Sequence, residues 1–88
     1  MKLSELNIRP HPRGFMHQRL FENGYGISVI PETDGKTYEI GVLEHSKGRK
    51  AHLTYDTVIT NDVLRYCDVD TVDLVIDDIR HLPKRTGG

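Results

Sequence analysis

Asn23-Gly24 is the dipeptide that most restricts how this chain can fold. A two-residue type I′ turn needs positive φ at both central positions, and Asn and Gly tolerate that conformation best. The flanking residues agree with a hairpin. Phe15 to Glu22 can run as one strand, and Ile27 and Val29 give the return strand its β-branched side chains. Gly26 leaves room for a bulge or for close approach of another backbone. The pattern predicts a hairpin that displays Tyr25 near its tip.

Asp34-Gly35 marks a second turn, after Pro31-Glu32-Thr33. From Thr37 to Glu44 the chain alternates, with Tyr38, Ile40 and Val42 on one side, the signature of a half-buried strand. Ser46-Lys47-Gly48-Arg49 turns the chain again, and Ala51 to Tyr55 returns as a fourth strand. Three successive turns imply an antiparallel meander. Residues 1–14 read as an extended N-terminal arm, because Pro10 and Pro12 push their predecessors to extended geometry. One helical turn near Met1 to Ile8 would let Leu3 and Leu6 touch the body.

Beyond residue 60 the period changes. Thr60 or Asn61 can cap a short helix over Asn61–Tyr66, and Asp70 can cap a second that runs to about Leu82, where Pro83 stops it. Val69 and Leu74 then take the positions of a hydrophobic staple. Val72, Val75, Ile76, Ile79 and Leu82 fall on one arc, a stripe wide enough to face a core. Asp73, Asp77 and Arg80 fall opposite. The expected fold class is α+β: a four-stranded antiparallel meander followed by two C-terminal helices packed on one face. Residues 15–82 form the domain, and 83–88 a flexible tail.

With 88 residues, no Trp and two Phe, the core is small, and dimerisation is one way to enlarge it. The net charge of −1 argues against a general binder of nucleic acid or anionic membrane. No apolar run is long enough to span a bilayer. A lone cysteine, Cys67, excludes an internal disulfide and suits a reducing cytoplasm.

The candidate sites compete with plainer roles. Gly24-Tyr25-Gly26 lacks the third glycine and the following helix of a dinucleotide loop. His45 and His52 bracket the third turn, but no other ligand has metal spacing. Cys67 and Ser28 lie in no nucleophile arrangement, so no catalytic residue, cofactor or metal is assigned. Two charged sets remain. Asp70, Asp73, Asp77 and Arg80 form a helix face able to dock a basic partner, for which a solubilising face is the plainer reading. Tyr25 with Arg13, Arg19, Arg49 and Lys50 is an aromatic and basic set able to hold a small nucleotide or nucleic acid.

Three runs carry a family likeness. Asn23-Gly24-Tyr25-Gly26 leads through Ser28 to Val29. Tyr38-Glu39-Ile40 precedes Val42-Leu43. Tyr55-Asp56-Thr57 leads through Ile59-Thr60 to Asp62-Val63. In this order the chain resembles a group of small proteins encoded by tailed phages and prophages, over roughly residues 19–82. The resemblance implies a non-enzymatic accessory protein of the bacterial cytoplasm that binds a host or defence protein. It brings no catalytic residues, and it leaves Tyr25, Tyr55, Asp56 and Asp62 open between a shared site and fold-specifying roles.

Overall fold

In the computed structural model the hairpin at Asn23-Gly24 forms, but through a different turn from the one expected. Residues 1–46, 50–54, 57 and 63–84 are described. Strand β2 (Gly14–Leu20) and strand β3 (Tyr25–Pro31) pair antiparallel from His17↔Val29 to Leu20↔Gly26. Gly24 alone in the loop has positive φ, at 89°, so a type I′ turn is excluded. The Gly24 amide instead bonds Phe21 O at 3.3 Å, and the Phe21 amide bonds Tyr25 O at 2.7 Å. This is a three-residue loop closed by a left-handed glycine. It leaves the Asn23 side chain free to reach another element.

The meander continues through strand β4 (Tyr38–Glu44), in register Val29↔Ile40 and Ile27↔Val42 with β3. The strand is not half-buried as its alternation predicts: Gly41 and Leu43, on the face opposite Ile40 and Val42, are buried too, because Leu53 and Val63 lie over Gly41. Asp34 organises the turn between them. Its carboxylate accepts the Lys36 and Thr37 amides, each at 2.9 Å. The short strand β5 (His52–Leu53) then pairs with β4 through Leu43↔Leu53.

Two segments depart from the expected layout. Within residues 1–14, Asn7–His11 is a strand, β1, which pairs with β2 from Asn7↔Gln18 to His11↔Gly14 and forms one edge of the sheet. Pro10 is tolerated there because an edge strand has one row of backbone groups without a ladder partner. Leu3–Glu5 forms a single 3-10 turn ahead of it, and Leu3 and Leu6 are buried. The short helix expected over 61–66 is not formed at residues 64–66. Leu64–Cys67 is strand β6, paired with β4 through Ile40↔Leu64 and Tyr38↔Cys67 around an irregularity. Residues 61 and 62 lie outside the described residues, as do 85–88 of the tail. Among the described residues the sheet therefore has six strands, with β5 and β6 sharing the free edge of β4.

Only one helix is present among the described residues, α1 (Val69–Arg80). Its N-cap is Asp68, not Asp70: the Asp68 carboxylate accepts the Thr71 amide at 2.8 Å. Hydrogen bonds from Thr71 hold that carboxyl below its ordinary range. With the cap moved back by two residues, the staple positions become Cys67 and Val72, both in the core, and Val69 and Leu74 are exposed. The expected stripe does face inward. Val72, Val75, Ile76 and Ile79 pack on the row Ile27, Val29, Ile40 and Val42, with Leu82 half-buried beside them. Burying each such side chain contributes about 1.5–3 kcal/mol. Gly26 also behaves as expected, since a Cβ there would lie 2.6 Å from the Arg19 carbonyl oxygen. No described helix is long and apolar enough to cross a membrane.

Candidate functional site

Glu32 follows the last residue of β3, and only 4% of it is exposed. A carboxylate so placed must be paired, and Arg65 of β6 supplies the pair. Its Nε donates to Oε2 at 2.7 Å and its Nη2 to Oε1 at 2.9 Å, a two-pronged grip. The Tyr66 amide donates to Oε2 as well, at 3.2 Å. Glu39 stands 3.1 Å from Arg65 Nε, and Arg13 lies 3.6 Å from Glu32 and 3.9 Å from Glu39. Two guanidiniums and two carboxylates thus balance. The Arg65 hydrogen bond holds the Glu32 carboxyl below its ordinary range against the opposing effect of burial, and the Tyr66 amide and Arg13 add to it. The same pairing raises the Arg65 pKa.

Tyr66 pays the backbone cost of this arrangement. Its φ is 57°, the left-handed region, and it is the one non-glycine residue described with positive φ. Such a conformation costs on the order of 1–3 kcal/mol and persists only where the surroundings impose it. Here the buried Glu32 imposes it, by taking both the Tyr66 amide and the Arg65 fork. The ring is thereby turned outward, 62% of the residue exposed, with the Arg65 guanidinium 5.2 Å from its centroid. Arg13 brings the β1–β2 turn to the same end. Gly14 abuts Pro31 there, and exposed Phe15 follows.

The neighbouring Cys67 is buried, and desolvation pushes its thiol pKa up, with Asp68 and Glu32 adding to the effect. That environment opposes thiolate formation. Among the described residues no three of His, Cys, Asp and Glu are grouped to hold a metal. His45 and His52 have different ring-nitrogen partners. The first lies 2.8 Å from Phe21 O, the second 2.7 Å from Glu44. No family model, curated protein or solved structure matches this chain.

The acidic helix face is engaged within the molecule. Asp73 Oδ1 accepts the Leu3 amide at 2.9 Å, and Asp77 Oδ1 accepts from the Met1 nitrogen at 3.1 Å. Arg80 Nη1 stands 3.7 Å from Asp77. Asp70 is exposed in the first turn. Leu3 of the 3-10 turn and Met1 thus meet part of the face that helical periodicity alone assigns to solvent, at Asp73 and Asp77. Nothing in the local sequence of the helix marks that contact.

The second set does not converge. Tyr25 is half-buried against the core rather than displayed at the hairpin tip, because the loop closes one residue before it. Arg13 belongs to the Glu32 network, Lys50 is exposed, and Arg49, with Tyr55, Asp56 and Asp62, lies outside the described residues. Arg19 instead lines a cavity of about 580 Å³ beside the C-terminal end of α1, together with Arg80 from the other set. Glu32, Arg65 and Tyr66 escaped the sequence reading. Their only outward sign was a Glu after a Pro and an Arg-Tyr pair, neither of which has a local pattern.

Proposed function

We propose that this chain is a non-enzymatic accessory protein of phage or prophage origin that docks on, and modulates, a bacterial host or defence protein in the cytoplasm. The docking centre is the Tyr66–Arg65 pair. One observation carries this reading: a buried carboxylate fixes the Tyr66 backbone amide and the Arg65 guanidinium, at the expense of backbone strain, and the exposed ring stands 5.2 Å from that guanidinium. Tyr and Arg are enriched among the residues that dominate protein–protein affinity, and a fixed backbone and a guanidinium already gripped lose little conformational entropy on binding. The resemblance to phage proteins supports the class of partner. Three carboxylates serve the fold: Glu32 in its ion pair, Asp68 in the cap, Asp73 in anchoring Leu3.

The pair sits in a charge-balanced setting, because Glu32 and Glu39 offset Arg65 and Arg13. Recognition there rests on packing and responds weakly to salt. Docking by the acidic face would instead weaken steeply with salt. Tyr66→Gly separates binding from folding, since glycine adopts the left-handed conformation without strain. Wild type, Tyr66→Gly and Leu74→Ala are tagged and incubated with bacterial lysate. A protein retained by wild type and by Leu74→Ala, but not by Tyr66→Gly, supports the reading. Retention indifferent to Tyr66 rejects it.

A further inference from the structure

We propose that the cavity between the β2–β3 hairpin and the C-terminal end of α1 binds a small, multiply charged phosphate-bearing molecule. It is a site separate from the Tyr66 surface and does not rest on that reading. At about 580 Å³ the cavity is in the size range of small-molecule sites. Three cationic side chains line it from separate parts of the chain, Arg19 from β2, Arg80 from the last turn of the helix and Lys84 beyond it, and Met1, whose ammonium pairs with Asp77, lines it as well.

Cations near a helix C-terminus ordinarily neutralise the terminal carbonyls. Here an uncharged amide satisfies those carbonyls by hydrogen bonding instead. Asn23 Nδ2 donates to Ile79 O at 2.8 Å, Leu82 O at 3.1 Å and Arg80 O at 3.3 Å. The negative end of the helix is thereby covered, and Arg19 and Lys84 make no ion pair with any described residue. Arg80 is held only loosely, 3.7 Å from an Asp77 that also accepts from the Met1 nitrogen. Among the described residues Glu22 is the one carboxylate lining the cavity. The wall is left with excess positive charge, which favours an anion of at least two charges. Leu20 and Phe21 give it an apolar side, where an organic group attached to the phosphate can lie. The −1 net charge of the whole chain disfavours a nucleic-acid backbone as the occupant.

The full chain is titrated calorimetrically with tripolyphosphate and with a nucleoside triphosphate, and backbone and side-chain amide shifts are followed by NMR. Saturable binding of either is expected, with shifts at the Asn23 side-chain amide. Arg19→Gln and Lys84→Gln should each weaken it about tenfold or more, as for loss of a charge-assisted hydrogen bond. Lys50→Gln, an exposed cation outside the lining, should leave it unchanged. Tighter binding of the nucleoside triphosphate assigns the apolar side to the organic group, and equal binding assigns the site to the phosphates alone. The proposal is overturned if neither ligand saturates, or if Lys50→Gln weakens binding as much as Arg19→Gln. Affinity that grows with oligonucleotide length overturns it as well, in favour of a diffuse nucleic-acid surface.

Discussion

Asn23 Nδ2 stands 2.8 Å from the carbonyl oxygen of Ile79, so the hairpin tip closes the last turn of the helix. The same side chain accepts the Tyr25 amide through Oδ1, at 3.1 Å. One residue therefore shapes its own loop and terminates an element 56 positions away. Asn23→Ala should destabilise the fold by about 1–2 kcal/mol, through unpaired terminal carbonyls. Asn23→Asp should cost more. It keeps the acceptor for Tyr25 but turns a carboxylate toward carbonyl oxygens. Urea denaturation of the two variants separates the helix contact from the loop contact.

Asp73 is expected to be a residue of stability. Removing its acceptor with Asp73→Ala leaves the Leu3 amide without its partner, at a cost of about 1 kcal/mol or somewhat more. Hydrogen exchange at Leu3 should accelerate, because the 3-10 turn loses its tie to α1. A variant with wild-type exchange and stability would return Asp73 to the role of a docking or solubilising charge.

Gly26→Ala tests the close approach of β2 and β3. The added Cβ would meet the Arg19 carbonyl oxygen at 2.6 Å and Leu20 Cδ2 at 2.8 Å. A side chain can turn away, but the paired backbone cannot shift without breaking the ladder. A loss of about 1–3 kcal/mol is expected. Thermal denaturation measures it.

Acid should weaken the fold through Glu32. Its pKa is depressed in the folded protein, chiefly by the Arg65 hydrogen bond. The folded state then binds fewer protons than the unfolded state, so the contribution is present above the ordinary Glu pKa, about 4.3, and is lost as pH falls through the lower folded value. Glu32→Gln should lower stability at neutral pH and flatten the acid limb of the stability–pH curve. Asp34 and Asp68, also depressed, leave a residual slope in that variant. An acid limb that is identical in the two proteins would mean that Glu32 titrates normally.

The elements that sequence determined are those held by near neighbours along the chain. The apolar arc Val72, Val75, Ile76 and Ile79 follows from helical spacing, the inward pair Ile40 and Val42 from strand spacing, and the places of the turns from Asn-Gly and Asp-Gly. Each depends on residues a few positions apart. Tertiary structure decided what long-range pairing controls. Arg65-Tyr66 sits in a segment that local signals read as helix, yet Glu32, 33 positions earlier, takes the Arg65 guanidinium and draws the segment into a strand. Asn7–His11 carries two-proline surroundings that mark extended backbone, but only β2 makes it a strand of the sheet. Asp73 and Asp77 lie on the polar side of the helix by any count, and Met1 and Leu3, more than 60 residues away in sequence, turn them into anchors. A buried ion pair or a capped carbonyl is fixed by desolvation in the folded state. Until the chain has closed on itself, water satisfies those groups equally well.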